Sequence, residues 1–136
     1  MGRLLALDIG ERRIGVALSD PMHIIASPHS IIDRKITPDY MDEIQKLISE
    51  QEVEALVIGL PLTLRNNVSQ QTQKVQLIIK ELNTELTLPI HTIDERLSSV
   101  SAKNTLKLKG EKTGHNKGEI DKTAAAIFLQ EFLDSK

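Results

Sequence analysis

The feature that most constrains the fold is a pair of short apolar segments joined by a glycine-bearing turn, within residues 3–20. The first segment, Leu4–Leu7, is short and is followed closely by Gly10, so it predicts a buried strand that ends at Asp8. The second segment, Ile14–Leu18, predicts a strand that folds back antiparallel on the first. α/β proteins gather ligand groups at such strand ends. Asp8 is therefore a candidate site residue, with a turn-forming role as the alternative.

The next segments predict an edge strand and a helix. Residues 24–32 can form a third strand, and Pro28 within it favours the edge of a sheet, because proline cannot donate to a neighbouring strand. Thr37 followed by Pro38 predicts a helix with Thr37 as its N-cap and Pro38 in the first helical position. Apolar residues at helical spacing predict the buried stripe of this helix: Met41, Ile44, Leu47 and Ile48.

From residue 55 onward the pattern alternates between strands and helices. Ala55–Leu60 is a continuous apolar run, which is typical of a central parallel strand covered on both faces. Ile90–Ile93 predicts another short strand, which leads into Asp94. Helices are predicted on either side of this strand, one capped by Asn66 or Asn67 and one running from Ser98 or Ser99 to about Leu108.

The last part of the chain predicts a basic loop and a further helix. Residues 109–118 contain glycines and lysines but no apolar side chain, which predicts a mobile loop. The helix that follows carries Asp121 in its first turn. Its predicted apolar face consists of Ile120, Ala124, Ile127, Phe128 and Phe132.

The composition narrows the class of protein. A chain of 136 residues has the size of one domain, so we expect a single domain over residues 1–136. The aromatic residues are few, which argues against nucleic-acid binding by rows of stacked rings. The absence of Cys excludes disulfides and thiolate metal sites. No apolar run approaches the roughly 20 residues of a membrane span and no signal peptide is recognisable, so we expect no membrane partner and a cytoplasmic location.

The net charge of −2 hides an uneven distribution of charge along the chain. Residues 39–54 contain six acidic residues against Lys46 alone, whereas residues 96–122 contain seven Lys or Arg against three acidic residues. The second segment can attract an anion that the average charge conceals. A solvated basic helix face is the alternative interpretation.

Together these segments predict an α/β protein with a mixed five-stranded sheet, an antiparallel opening hairpin and flanking helices. Right-handed crossovers place the carboxyl ends of three strands along one edge of the sheet. These are the first strand, the strand that ends near Leu60 and the strand that ends near Asp94. We therefore expect Asp8 and Glu95 to be neighbours.

Four motifs, in order and over nearly the whole chain, resemble those of the YqgF/RuvX family: LDIGERRIGVALSD, IGLPL, IDERLSS and NKGEIDKTAAAIFLQEFL. The resemblance implies a ribonuclease H-like fold and a hydrolase that acts on phosphodiester bonds. In that family this means a nuclease for the 5′ end of pre-16S rRNA in ribosome biogenesis, with Holliday junction resolution as the older name. It also implies three catalytic carboxylates: Asp8, Glu95 and Asp121. Residues 63–67 depart from the acidic residue and glycine that often follow the second motif, so this loop is given no role.

Three carboxylates suit the chemistry of phosphodiester hydrolysis. Two divalent ions can neutralise charge on the attacking and leaving oxygens while activating a water. Carboxylate oxygens are hard ligands that suit Mg²⁺ or Mn²⁺, so Asp8, Glu95 and Asp121 are also the predicted metal ligands. Asp94 and Glu95 point to opposite faces of a strand, and the family resemblance selects Glu95. Helix capping or an arginine pair is the alternative for Asp94, and dipole complementation the alternative for Asp121.

Basic residues near the predicted site are candidates for contacts with phosphates. Solvated surface charge is an equally good interpretation of each one alone. His115 could shuttle a proton, although a spacer role is the better interpretation. The candidate nucleic-acid-binding residues are Arg12, Arg13, Arg96, Lys109, Lys112, Lys117 and Lys122.

These observations favour a metal-dependent nuclease whose partner is a structured RNA precursor, with ribosomal particles as a further candidate partner. A resolvase of DNA junctions would use the same site, and sequence does not separate the two substrates. A non-catalytic nucleic-acid-binding module is the alternative from another class. A sugar-kinase or actin-like nucleotide binder shares the Asp-x-Gly turn, but its two-domain architecture needs a much longer chain.

Overall fold

The computed structural model describes residues 2–60, 70–94 and 117–135, with the side chains of residues 117–122 left out. The predicted caps at Asn66, Asn67, Ser98 and Ser99, the helix to Leu108 and most of the loop 109–118 therefore lie outside the described residues. The described elements, in chain order, are β1 (Arg3–Ile9), β2 (Arg13–Ser19), β3 (Ala26–Asp33), α1 (Tyr40–Glu50), β4 (Val53–Leu60), α2 (Gln70–Glu85), β5 (Ile90–Asp94) and α3 (Lys117–Asp134).

The five strands form one mixed sheet in the order β3-β2-β1-β4-β5. β1 and β2 pair antiparallel, as do β2 and β3, whereas β1 with β4 and β4 with β5 pair parallel. The predicted antiparallel hairpin, the edge position of β3 and the central parallel position of β4 are therefore confirmed. In this register Asp8 lies opposite Gly15, and Leu60 lies opposite Asp94.

Both faces of the sheet are covered, which explains why the middle of each central strand is apolar on both faces. Leu5 and Leu7 of β1 belong to a core with α1 and α2, in which Ile44 is fully buried. Leu4 and Ala6 belong to a second core, with α3 on the opposite face. Because successive side chains of a strand point to opposite faces, β1 contributes to both cores.

The start of β3 differs from the prediction. Ile24 and Ile25 were predicted to lie in the third strand, but β3 begins at Ala26, and both isoleucines are about 60% exposed. The reason is that the Asp20 carboxylate accepts the backbone N–H groups of Ile24 (2.7 Å) and Ile25 (2.8 Å), which holds them in a turn. Pro28 is tolerated because the β2–β3 register shifts beside it.

The N-cap of α1 also differs from the prediction. Asp39, rather than Thr37, caps the helix, and its side chain accepts the N–H of Asp42. Thr37 is instead tied into the preceding turn, where its N–H donates to the Asp33 carbonyl at 2.7 Å. The predicted buried stripe is confirmed, with Ile44 and Leu47 buried and Met41 and Ile48 partly buried against the same core.

The start of helix α3 differs from the prediction, and so does the position of Asp121 within the helix. It begins at Lys117, so the last two residues of the predicted loop 109–118 are helical, and Asp121 is its fifth residue and lies beyond the first turn. Gly118 destabilises the helix little at this position, because the first N–H groups of a helix have no intrahelical partner.

The buried face of α3 is also shifted from the predicted one. Leu129 and Leu133 are buried, whereas Ile127 and Phe132 are only partly buried. The small side chains of Ala124 and Ala125 are buried too, which allows the helix to approach the sheet closely. Within the described residues, no helix combines the length and apolar character needed to cross a bilayer.

Candidate active site

The site is built on one edge of the sheet, where three parallel strands end. β1, β4 and β5 run in the same direction, and their carboxyl ends carry Asp8 with Ile9, Leu60 and Asp94 respectively. This is the edge at which open α/β sheets bind ligands. The predicted alignment of these strand ends is therefore confirmed, although Glu95, one residue beyond β5, lies outside the described residues.

Asp8 lies on the face of the sheet that α3 covers. Leu4 and Ala6, four and two residues before it in β1, both pack in the α3 core, and strand alternation places Asp8 on the same side. Asp8 is partly buried, whereas Leu4 and Ala6 are fully buried. Asp121 lies on the second turn of α3, near the helix terminus, but its side chain is outside the described part.

Asp94 lies on the opposite face from Asp8. Ile90 of the same strand packs against the core formed with α1 and α2, whereas Ile93 packs against the α3 core. Alternation therefore assigns Asp94 to the side of Ile90. The sequence-based expectation that Asp94 is a poor direct partner of Asp8 agrees with this geometry.

Gly10 makes the turn after Asp8 tight. Its N–H donates to the Arg13 carbonyl at 2.8 Å, which closes the hairpin between β1 and β2. A Cβ at this position would lie 2.8 Å from the same carbonyl oxygen, closer than real Cβ contacts allow. Glycine is therefore required by close approach of the backbone.

Two side chains from distant segments hold the carbonyl groups of this turn. The Arg34 guanidinium, from the segment after β3, donates through Nη1 to the Gly10 carbonyl at 2.9 Å and to the Glu11 carbonyl at 3.3 Å. The Gln71 amide, from α2, donates to the Ile9 carbonyl at 3.1 Å. Sequence reasoning missed both residues, because no local pattern reports a contact between segments 24 or 62 residues apart.

The predicted basic residues are partly described. Arg12, at the tip of the turn, has a half-exposed side chain whose Nε lies 3.5 Å from Asp33. Burial of Asp33 opposes ionisation, but the Lys35 N–H and the Arg12 guanidinium outweigh it and hold the pKa of this carboxyl below its ordinary value. Arg13 is the first residue of β2. The remaining candidates, Arg96, Lys109 and Lys112, and the side chains of Lys117 and Lys122, lie outside the described residues.

The described residues contain one of the three predicted metal ligands. In residues 2–60, 70–94 and 117–135 no group of three or more acidic, His or Cys side chains converges on one point. Asp8 nevertheless fits a hard divalent cation by its chemistry and place: it is a partly buried carboxylate at the kind of strand end where α/β sheets bind ligands. The side chains of Glu95 and Asp121, which would complete the set, are outside the described part.

The comparison with protein-family models decides the family. A model described as RuvX, Holliday junction resolvase, matches residues 2–135. The chain belongs to the RuvX family. The resemblance seen in the four sequence motifs is thereby confirmed.

Individual members of the family are similar over nearly their whole length. The chain is 44% identical to a protein of Roseiflexus sp. over 138 residues, which covers 99% of this chain and 96% of the relative. It is 43% identical to a protein of Crocosphaera subtropica over 132 residues, which covers 97% and 92% of the two chains. Both RuvX relatives bear the name "Putative pre-16S rRNA nuclease".

Solved structures with the same fold include resolvases. Thermus thermophilus RuvC in complex with a Holliday junction substrate has a TM-score of 0.64 at 12% identity, covering 99% of this chain and 95% of that chain. The fowlpox virus resolvase, solved with Holliday junction DNA, has a TM-score of 0.52 at 10% identity, covering 96% and 98%. The predicted ribonuclease H-like fold is therefore confirmed. The predicted class of enzyme, a nuclease that hydrolyses phosphodiester bonds, is confirmed at the level of the family.

Proposed function

We propose that this RuvX protein is a metal-dependent nuclease that cleaves precursor 16S rRNA near its 5′ end during ribosome biogenesis. The single observation that carries the proposal is the position of Asp8 at the carboxyl end of β1, on the face covered by α3, beside a turn that admits only glycine at position 10. The names of the curated relatives support the RNA substrate.

Asp8, Glu95 and Asp121 are proposed to hold Mg²⁺ or Mn²⁺. Glu95 follows Asp94, which lies on the opposite face from Asp8, so continued alternation would bring Glu95 to the side of Asp8. Asp121 belongs to the helix that covers this face. When bound, the cations would neutralise charge on the phosphate and lower the pKa of a water that attacks phosphorus.

The residues of the chain itself would position the metal-binding carboxylates and supply positive charge for the substrate phosphates. Asp8 is carried by a central strand, and the hydrogen bonds of Gly10, Arg34 and Gln71 fix the turn that follows it. Such support holds a carboxylate within the narrow range of positions that a catalytic metal ligand needs. Basic residues around the edge, Arg12 and Arg13 among them, would offset repulsion between the acids and the phosphates.

Cleavage assays with purified protein test the proposal. An RNA fragment that spans the 5′ end of mature 16S rRNA is compared with a four-way DNA junction, each with Mg²⁺, with Mn²⁺ and with EDTA. We expect RNA cleavage that requires the metal and is lost in each of Asp8→Asn, Glu95→Gln and Asp121→Asn. Cleavage that persists in EDTA, or in the triple variant, would disprove a metal-dependent site at these acids.

The family's description as Holliday junction resolvase supports a second candidate, resolution of DNA junctions at the same site. In the same assay, symmetric nicking of the junction with no cleavage of RNA would replace the first candidate by the second. Binding to either substrate with no cleavage under any metal condition would instead indicate a non-catalytic binding module. Association with ribosomal particles is proposed only together with the RNA substrate.

A further inference from the structure

A cleft of about 570 Å³ lies beside the turn that follows Asp8. One wall is the tip of the β1–β2 turn, and the other is the segment between β3 and α1. The cleft is open to solvent rather than enclosed. The described residues that line it are Glu11, Arg12, Arg34, Lys35, Pro38 and Tyr40.

The charges that line the cleft favour an anion. Among the lining residues that the structure describes, Arg12, Arg34 and Lys35 contribute three cations, whereas Glu11 is the one carboxylate. Glu11 is itself paired with Lys74 of α2, whose Nζ lies 3.3 Å from Glu11 Oε1. The side chains of Arg12 and Lys35 are exposed, so a phosphate can reach them without a rearrangement of the core. Arg12 is paired through Nε with Asp33 at 3.5 Å, and its half-exposed guanidinium keeps other N–H donors for a phosphate.

Arg34 is the fixed element of this cleft. Nη1 is bonded to the carbonyls of Gly10 and Glu11, and the guanidinium lies over the Tyr40 ring at 5.2 Å from its centroid. The Tyr40 hydroxyl in turn lies 3.4 Å from the Glu81 carboxylate. A guanidinium has five N–H donors in a planar fork, so one held through Nη1 and stacked on a ring keeps further donors for an anion. Because it is already ordered, binding costs less side-chain entropy.

The cleft lies close to the candidate active site. Glu11 is three residues after Asp8, and three residues of chain span at most about 11 Å. Each strand of a duplex advances about 3.4 Å per nucleotide along the helix axis, so this distance corresponds to no more than about three nucleotides. A strand cleaved at Asp8 that continues past Glu11 toward the α1 side of the sheet would reach this end of the cleft within a few phosphates of the scissile bond.

We propose that the cleft formed by Arg12, Arg34 and Lys35 is a subsite for the phosphodiester backbone of the substrate strand, within about three nucleotides of the cleaved bond. The inference rests on the proposed nuclease function and adds Arg34 and Lys35, which the sequence patterns did not single out. Its contacts are to phosphates, so the subsite positions the strand and does not read its sequence.

The test uses Arg12→Gln combined with Lys35→Gln, which leaves Arg34 and the turn it holds unchanged. The charge-matched control combines Lys46→Gln in α1 with Lys80→Gln in α2, both exposed and outside the cleft. The substrate is the same 16S precursor fragment, with its cleavage position mapped by the wild-type protein and each flank then shortened stepwise. Values of kcat and KM are measured at several salt concentrations, and melting temperatures verify folding.

On the long fragment we expect the cleft variant to raise KM about tenfold, with kcat within about twofold and a salt dependence shallower by one to two contacts. The loss should shrink when the flank on one particular side is shortened to fewer than about three nucleotides, because the phosphates that the cleft contacts are then absent. The control should change KM by less than about twofold.

Two results would overturn the subsite. If the cleft and control variants raised KM equally, the effect would come from the overall charge of the protein and not from the cleft. If the rise in KM did not depend on the length of either flank, the contact with the substrate would lie elsewhere. These failures are distinct from failure of the proposed function. If the wild-type protein cleaves normally and the cleft variant matches it, only the subsite is wrong, whereas absence of cleavage by the wild-type protein removes the function and the subsite together.

Discussion

Two aspartates, Asp8 and Asp20, lie near the carboxyl ends of the neighbouring strands β1 and β2, at opposite ends of the sheet and in different surroundings. Asp20 follows β2, and its carboxylate accepts the backbone N–H groups of Met22, Ile24 and Ile25. Asp8 lies near the end of β1, at the opposite edge, because β1 and β2 are antiparallel. There the Gly10 N–H donates to the Arg13 carbonyl, and the side chains of Arg34 and Gln71 donate to carbonyl groups of the following turn.

The difference shows that aspartates near the ends of neighbouring strands can lie in turns that are stabilised in different ways. At the Asp20 end the carboxylate itself organises the turn, and the N–H groups of Ile25 and Ile24 lower its pKa below the ordinary value. At the Asp8 end, side chains from two remote segments stabilise the turn carbonyls. The turn after Asp8 is therefore supported by contacts between distant segments, whereas the turn after Asp20 is organised locally.

The largest expected effect is on turnover in Asp8→Asn. Removing one ligand of a metal cluster disables the cluster as a unit, so we expect a loss of at least about 10³-fold in kcat/KM. Adding Glu95→Gln should then change the rate little further. Single-turnover cleavage of the precursor RNA measures this. A variant that retains a tenth of the wild-type rate would contradict the comparison.

Gly10→Ala should have the next largest effect. The new Cβ would meet the Arg13 carbonyl oxygen at 2.8 Å, so we expect a loss of about 1–3 kcal/mol in stability. A shift of the turn next to Asp8 should also lower kcat by up to about 10²-fold.

Gly2→Ala is the matched control at the opposite end of the sheet, where a Cβ would lie 2.7 Å from the Glu52 carbonyl oxygen. It should lower stability while leaving kcat within about twofold of wild type. If the two alanine variants lost kcat equally, the loss in Gly10→Ala would come from reduced stability of the whole protein and not from a shift of the turn beside Asp8.

Gln71→Met should have a smaller effect. It removes the donor to the Ile9 carbonyl, a hydrogen bond worth about 1 kcal/mol. The cost is partly offset, because Gln71 Oε1 is buried without a hydrogen-bond partner among the described residues. We expect kcat to fall severalfold with a change in stability below about 1 kcal/mol. Denaturant unfolding and steady-state kinetics check this, and an unchanged kcat would mean that α2 does not support the site.

The smallest effect on turnover is expected for Asp20→Asn, which should lower the melting temperature and leave kcat unchanged. Because the pKa of Asp20 is lowered by folding, its ionised form stabilises the protein above the ordinary carboxyl pKa, near 4. This stabilisation is lost as pH falls through the lower, folded-state pKa. The melting temperatures of wild type and variant should therefore differ at pH 7 and converge below pH 4. A pH-independent difference would assign the effect to packing.

The strands could be predicted well from the sequence, because burial of both faces gives β1 and β4 continuous apolar runs, Leu4–Leu7 and Ala55–Leu60. The residue that caps helix α1 was harder to predict from the sequence. Thr37 before Pro38 is a common helix start, but Asp39 captures the N–H of Asp42, and Thr37 is used by the preceding turn. Ile24 and Ile25 have strand propensity, which the hydrogen bonds to Asp20 override.

For the site, the sequence could predict Asp8 and its glycine turn, since both lie in one short motif. It could not predict the support from Arg34 and Gln71, because those contacts depend on how β3 and α2 pack around the sheet edge. The charges of Arg12, Arg34 and Lys35 likewise become one cleft only in three dimensions.

The most direct measurement of the central claim, that Asp8 is a metal-binding carboxylate and Asp20 a structural one, is the melting temperature of wild type, Asp8→Asn and Asp20→Asn with and without Mn²⁺. At 100 times its Kd, Mn²⁺ should stabilise the wild-type protein by about 2.7 kcal/mol. Asp8→Asn should melt above wild type without metal, because repulsion among the acids is relieved, and should gain little from Mn²⁺. Asp20→Asn should melt lower but keep the full gain. An Asp8→Asn variant that is destabilised without metal and keeps the full gain from Mn²⁺ would contradict the account.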